Sequence, residues 1–200
     1  MTRSSLLAVA LVAACLAGCT SSTRSTGFPN NPNTPDRARL VAAAKLEPCP
    51  ASPGAPVSGG LPDVTLPCLG TGPAVHHAAL RGTPSVVNLW GSWCGPCQKE
   101  TPFLARAHAR LGKAVRFLGV DTSDDPDSAL DFAAHVRPAM RYPSVVDENK
   151  SVLLGVHGPT GVPMTVFVDA DGRVVHLSPA PYDSVDAVLA DVARYLGVHV

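Results

Sequence analysis

A pair of cysteines separated by two residues is the clearest chemical feature of this 200-residue sequence: Trp93-Cys94-Gly95-Pro96-Cys97. The pattern predicts a helix that starts at this point, where unpaired backbone N–H groups and the positive end of the helix dipole favour a thiolate. Lowering a thiol pKa from about 8.5 to about 7 requires roughly 2 kcal/mol of preference for the thiolate. We therefore predict that Cys94 is an exposed nucleophile that attacks a disulfide, and that Cys97 resolves the mixed disulfide.

Zinc binding is the alternative use of such a pair, because two cysteines at this spacing also begin many zinc sites. A four-thiolate site needs a second close pair, and Cys49 and Cys68 stand nineteen positions apart without a short-spaced partner. Redox chemistry is therefore favoured, and no metal or cofactor is expected.

The predicted elements around the motif are a strand that leads into it, over 85–90, and a helix that follows it, over 95–111. Strand–helix–strand followed by a hairpin and a helix predicts an α/β fold, a mixed sheet with helices on both faces. The hairpin turns through Ala170-Asp171-Gly172. Further strands are predicted over 64–69, 114–120, 142–146, 164–169 and 173–177, and further helices over 37–45, 125–135 and 184–196.

Two segments together resemble a known family. Val86-Val87-Asn88-Leu89-Trp90-Gly91-Ser92-Trp93-Cys94-Gly95-Pro96-Cys97-Gln98-Lys99-Glu100-Thr101-Pro102 resembles the membrane-tethered TlpA/ResA/DsbE-like branch of the thioredoxin family. Gly161-Val162-Pro163-Met164-Thr165 resembles the second signature of that branch. The resemblance covers about residues 61–196 and implies a thioredoxin-like fold.

Pro163 is cis and faces the two cysteines if the resemblance holds. Val162 would then present its backbone to an extended substrate beside Cys94, and Trp93, Gly95 and Pro96 would border the same substrate. The alternative is that Pro163 is trans and merely starts the following strand.

Glu100 and Asn88 are the neighbours of the dithiol that could affect its acid–base chemistry. Many thioredoxins have a buried Asp six residues before the first cysteine, and here that position is Asn88, which cannot ionise. The resemblance makes Glu100 an active-site residue that helps to deprotonate Cys97 or tunes the cysteine pKa values. The alternative is a solvated glutamate near a helix start, where a negative charge is favourable.

The amino terminus predicts export and a lipid anchor. Residues 1–18 have a basic start and an apolar run, over 6–17, that is too short to span a bilayer. Leu16-Ala17-Gly18-Cys19 resembles a bacterial lipobox, which implies cleavage before Cys19 and a lipid on its sulfur; the alternative is an ordinary secretory signal. A polar tether over 19–37 and a domain over 38–200, with a Pro-rich extension over 38–73, are expected to follow.

Cys49 and Cys68 lie in that Pro-rich extension. In an exported protein, a structural disulfide between them is the simplest interpretation, and a second redox pair that exchanges with Cys94 and Cys97 is the alternative. His76 and His77 are expected to be a solvated loop pair rather than metal ligands.

Sixteen basic and sixteen acidic residues leave a formal net charge of zero, which gives no field to hold nucleic acid. The resemblance implies a thiol–disulfide oxidoreductase at the outer face of the cytoplasmic membrane that reduces exported proteins such as apocytochrome c. Its electrons would come from a membrane thiol reductase of the DsbD/CcdA kind. A disulfide-forming oxidase and a non-catalytic thioredoxin-fold binding module remain open alternatives.

Overall fold

A five-stranded mixed sheet forms the centre of the protein, in the strand order β5-β4-β3-β6-β7. The computed structural model describes residues 35–200. Its strands are β1 (Thr65–Leu66), β2 (Val75–His76), β3 (Ser85–Trp90), β4 (Arg116–Thr122), β5 (Ser144–Asp147), β6 (Met164–Val168) and β7 (Val174–Ser178). Its α-helices are α1 (Pro35–Ala44), α2 (Gly95–Leu111), α3 (Pro126–His135), α4 (Ser151–Gly155) and α5 (Val185–Leu196).

Strand β3 occupies the middle of the sheet and leads directly to the Cys94 turn. It pairs in parallel with β4 and antiparallel with β6, and all six of its residues are buried. A continuous buried run is what a strand covered on both faces requires. The amino end of α2 is consequently placed at the sheet edge where β3 and β4 end.

The two faces of the sheet are covered differently. Val86 and Trp90 of β3 belong to a core cluster that also contains residues of α1, α2, α3 and α5. Val87 and Leu89 point to the opposite face, as alternation along a strand requires, and belong to a second cluster. Residues from 49–80 and the short helix α4 complete that second cluster. The thioredoxin-like fold is thus confirmed, with helices on both faces of the sheet. The four longer helices pack on one face, and the short helix α4 packs on the other.

Most predicted elements are confirmed to within two residues, and the predicted β6–β7 hairpin forms. The structure adds the small β1–β2 sheet and α4, which the pattern did not predict. The strand predicted over 64–69 is regular only at β1, while residues 67 and 69 hydrogen-bond to the backbone of Ser144 and Val146. Helix α1 begins at Pro35, two residues before the predicted start.

The loop that contains His77 differs from expectation. His77 is 1% exposed and lies in a short 3₁₀ turn, so the prediction of a solvated histidine pair is wrong for this residue. Burial lowers its pKa to about 4. His76 is partly exposed, as expected, and its ring contacts the carboxylate of Asp63 at 2.6 Å, but it lies in strand β2 and not in a loop.

No helix within residues 35–200 combines the length and the apolar character that crossing a bilayer requires.

Candidate active site

The two motif cysteines are joined by a disulfide at the start of α2, with their Cα atoms 5.2 Å apart. Cys94 is the N-cap of the helix, and its Sγ accepts a hydrogen bond from the backbone N–H of Cys97 at 3.2 Å. Pro96 is tolerated in the first turn because the backbone N–H that it lacks would have no helical partner there. A reduced Cys94 would therefore meet backbone donors and the positive end of a 17-residue helix.

Cys94 is less accessible than the sequence suggested. It is only 4% exposed in the disulfide form, and Cys97 is fully buried. The Sγ of Cys94 packs against the backbone oxygen of Val162 at 3.7 Å, and this contact covers it. The peptide bond from Val162 to Pro163 is cis, as predicted. The contact of Val162 with the Cys94 sulfur places this proline loop beside the first cysteine.

Trp93 forms an exposed part of the active-site rim, with 59% of its surface accessible. Its indole N–H donates to the backbone oxygen of Ser123 at 3.2 Å. Gly91 leaves room for this ring, since a Cβ at that position would lie 2.6 Å from the indole nitrogen. Trp93 is thus open to contact with another molecule while its N–H remains bonded.

The turn that carries Trp93 is held by Asp124, a residue that the sequence did not single out for this role. Its carboxylate accepts the backbone N–H of Ser92, and its other oxygen accepts the Ser92 hydroxyl at 3.1 Å. The N-cap of α3 is the next residue, Asp125, whose side chain accepts from the backbone N–H of Ser128. Only the spacing of acidic residues after β4 could have hinted at the Asp124 contact.

Asp121, at the end of β4, is completely buried, and neither of its carboxyl oxygens has a hydrogen-bond partner of good geometry among the described residues. Desolvation, followed by the negative charge and hydrogen bonding of Asp124, raises its pKa to about 9. This carboxyl is therefore neutral at pH 7.

Glu100 lies on α2 one turn after Cys97 and is buried, with 1% of its surface exposed. Its Oε1 accepts from the side-chain amide of Asn88 at 2.9 Å, and its Oε2 accepts from the backbone N–H of Tyr182 at 3.1 Å. Burial raises its pKa to about 7, while both hydrogen bonds act in the opposite direction. The alternative of a solvated glutamate is wrong.

A groove of about 410 Å³ lies along α2 beside the dithiol. Pro96, Lys99 and Phe103 form its helical wall, and residues 181–183 form the other. Within residues 35–200, no group of three or more His, Cys, Asp or Glu side chains could hold a metal ion.

Comparison with known proteins shows the family of the chain. A profile of the Redoxin family matches residues 56–192, more than half of the chain. The chain belongs to the Redoxin family.

This Redoxin chain is 32% identical over 113 residues to the thiol:disulfide interchange protein DsbE of Pseudomonas fluorescens biotype C, over 56% of this chain and 61% of that protein. It is 26% identical over 105 residues to the thiol-disulfide oxidoreductase ResA of Bacillus thuringiensis (strain Al Hakam), over 52% of this chain and 59% of ResA. The chain thus spans less than two thirds of these relatives' length.

A solved structure similar to this chain is that of a secreted Mycobacterium tuberculosis disulfide oxidoreductase described as homologous to E. coli DsbE. It is 26% identical, with a TM-score of 0.56, over 66% of this chain and 96% of that one. Sequence and structure therefore relate this Redoxin chain to proteins named for thiol–disulfide exchange.

Cys49 and Cys68 form the predicted disulfide of this Redoxin chain, with their Cα atoms 6.0 Å apart. Cys49 is buried in the second core cluster, and Cys68 forms an isolated antiparallel bridge with Val145 of β5. The disulfide therefore joins two parts of the Pro-rich extension, and the bridge from Cys68 attaches this extension to the edge strand β5. The signal, the tether up to residue 34 and the lipidation site Cys19 lie outside the described residues.

Proposed function

We propose that this protein is a membrane-anchored, extracytoplasmic thiol–disulfide oxidoreductase whose active group is the Cys94–Cys97 pair. The observation that carries the proposal is the disulfide at the start of α2, placed against the cis-proline loop.

Reduction of a substrate begins with the Cys94 thiolate. It attacks one sulfur of the substrate disulfide, a bond forms between Cys94 and that sulfur, and the other substrate sulfur leaves as a thiolate. Cys97 then attacks Cys94, which closes the Cys94–Cys97 bond and releases the second substrate thiolate. Two electrons pass from the protein to the substrate.

Glu100 takes the proton of Cys97 during this second step. A buried carboxyl with a pKa of about 7 is ionised in a large fraction of molecules at neutral pH, yet basic enough to accept a proton. Asn88 stands where many thioredoxins have an ionisable Asp, so Glu100 supplies the carboxylate in its place.

Substrate binding falls to the surfaces beside Cys94. The backbone of Val162 next to Pro163 can pair with an extended substrate segment. Trp93, Gly95 and Pro96 border the same place, and the exposed indole of Trp93 offers apolar contact.

Reduction of exported proteins such as apocytochrome c is the direction that we propose. The relatives named ResA and DsbE support thiol–disulfide exchange in general. The lipobox resemblance at Cys19 supports anchoring at the outer face of the cytoplasmic membrane. Electrons would then come from a membrane thiol reductase of the DsbD/CcdA kind.

Trapping of mixed disulfides tests the proposal. Cys97→Ala, expressed with its native signal, cannot release a substrate bound to Cys94, so mass spectrometry should find covalent adducts on Cys94. The control is Cys94→Ala/Cys97→Ala, which should yield none. Absence of adducts with Cys97→Ala would refute Cys94 as the nucleophile.

Direction is tested by the reduction potential of the Cys94–Cys97 couple. A potential of about −270 mV, like that of thioredoxin, would agree with a reductant. A potential of about −120 mV would refute the reducing direction and favour a disulfide-forming oxidase. Failure of the purified protein both to reduce insulin and to oxidise reduced ribonuclease would instead support a binding module.

A further inference from the structure

The partner of Glu100 on the central strand is Asn88, and its contacts assign a role to it. Asn88 lies in the middle of β3 and is 1% exposed. Its side-chain nitrogen donates to Oε1 of Glu100 at 2.9 Å and to Oγ1 of Thr165 at 3.4 Å. We propose that Asn88 is a positioning residue: its amide holds the Glu100 carboxylate beside Cys97 and favours its ionised form. This inference rests on the proposed role of Glu100 as the proton acceptor.

The geometry suits an ionised carboxylate. A carboxylate can only accept hydrogen bonds, and here one oxygen accepts from Asn88 and the other from the backbone of Tyr182. Hydrogen bonds to the charged form lower a carboxyl pKa, whereas burial raises it. Asn88 and Tyr182 therefore limit the rise that desolvation of Glu100 produces.

An amide at this position differs from a carboxyl in one important respect. A second carboxyl within hydrogen-bond distance of Glu100 would share a single proton with it, and the two groups would titrate as a pair. Asn88 carries no charge, so Glu100 can ionise without repulsion from β3. In many thioredoxins the acidic group stands at the strand position that Asn88 occupies here. In this protein the acidic group is on α2, and β3 supplies an uncharged hydrogen-bond donor.

Cys97 lies one turn earlier on α2, and the other ionisable side chains that interact with Glu100 are two tyrosines. Tyr142, in the segment before β5, and Tyr182, in the segment before α5, interact electrostatically with Glu100, and burial raises the pKa of each. Strand β6 contributes Thr165, which has no charge. Loss of the Asn88 donor should therefore appear directly in the titration of Glu100.

In the step that Asn88 supports, the sulfur of Cys97 loses its proton to Glu100 and attacks Cys94 in the mixed disulfide. The Cys94–Cys97 bond forms, the bond from Cys94 to the substrate breaks, and the substrate leaves as a thiolate. The electron pair moves to the leaving sulfur, and the proton rests on Glu100.

Isotope labelling of glutamate side chains gives the direct test, because the sequence contains only Glu47, Glu100 and Glu148. Glu100→Gln assigns the carboxyl signal of Glu100 in the spectrum of the reduced protein. In Asn88→Ala, the pKa of Glu100 should rise by about one unit above its wild-type value. A shift smaller than about 0.3 unit would overturn the inference.

Kinetics supply a readout that a purely structural role would not change. Dithiobis(nitrobenzoate) first forms a mixed disulfide with Cys94 and then releases a second coloured thiolate when Cys97 attacks. The pH midpoint of this second phase should move upward with the carboxyl pKa in Asn88→Ala. Ser85→Ala is the matched control, since Ser85 is a fully buried polar residue of β3 that bonds to Thr83 instead; its midpoint should equal that of the wild type.

Asn88→Asp keeps the shape of the side chain and serves if Asn88→Ala does not fold. We expect two coupled carboxyl titrations in this variant, one above the wild-type pKa of Glu100. A single unchanged Glu100 titration would refute the inference. If Cys97→Ala retained the second phase, the proposed function would fail instead, while the carboxyl titrations would still decide the role of Asn88.

Discussion

Removal of the Cys49–Cys68 disulfide should lower stability by an amount that follows from the loop it closes. The two cysteines are 19 positions apart, so the bond closes a loop of about 20 residues. The loop-closure entropy of such a loop corresponds to about 3 kcal/mol at room temperature. We therefore expect Cys49→Ala/Cys68→Ala to lose about 3 kcal/mol of unfolding free energy, while its active-site disulfide remains oxidised.

Urea unfolding followed by tryptophan fluorescence measures this loss. With a urea dependence of about 2 kcal/mol per molar, the midpoint should fall by about 1.5 M. The double variant avoids a free thiol that could attack Cys94. A loss below about 1 kcal/mol would refute the argument that this bond restricts the unfolded chain.

The same variant distinguishes a structural bond from a redox partner of the active site. A structural bond leaves the Cys94–Cys97 potential unchanged. A displacement beyond about 30 mV, which corresponds to about 1.4 kcal/mol, would show that the two disulfides are coupled.

Three further predictions concern buried or turn-forming polar groups. Because the pKa of Asp121 is raised to about 9 in the folded state, the stabilising contribution of its protonated form is lost as pH rises from about 4 to about 9. Asp121→Asn should therefore have a higher urea midpoint than the wild type at pH 8. Equal midpoints would contradict this expectation. Because the pKa of His77 is lowered to about 4, the wild type should lose up to about 3 kcal/mol of unfolding free energy as pH falls from 6.5 to 4. His77→Phe should not show this loss, and the same pH dependence of stability in both proteins would refute the expectation. Asp124→Ala should lower the free energy of unfolding by about 1–3 kcal/mol, because the N–H and hydroxyl of Ser92 lose their acceptor. Asp183→Ala, at an exposed position, is the control. An equal urea midpoint in the two variants would contradict the expectation.

Local sequence patterns predicted those elements whose burial and ends follow from residues that are neighbours in the sequence. Strand β3 is apolar apart from Ser85 and Asn88, and α2 begins at the CxxC turn and ends before Gly112, so both elements can be predicted from neighbouring residues. Helix α4 has only five residues and depends on Asp147, whose carboxylate accepts the N–H groups of Ser151 and Val152. So short a helix has no detectable period.

The site shows the same division. The cysteines and Pro163 carry recognisable motifs, whereas the environment of Glu100 depends on contacts distant in sequence. Its partner Tyr182 is 82 residues away and offers only a backbone N–H, which any residue except proline could supply. Burial of His77 likewise depends on packing by remote segments and not on its neighbours along the chain.

The attachment of the Pro-rich extension to β5 has a consequence for the order in which the molecule assembles. Cys49 and Cys68 are close in sequence, whereas the strand to which residues 67–69 attach begins at Ser144. As the chain emerges from its amino end, the disulfide loop can close before β5 exists. The completed loop then presents backbone hydrogen-bonding groups to the last strand added at that side of the sheet, which shields an otherwise open edge from pairing with a second chain. In this order, the Cys49–Cys68 bond forms before β5 joins the sheet, and the closed loop helps to position that strand.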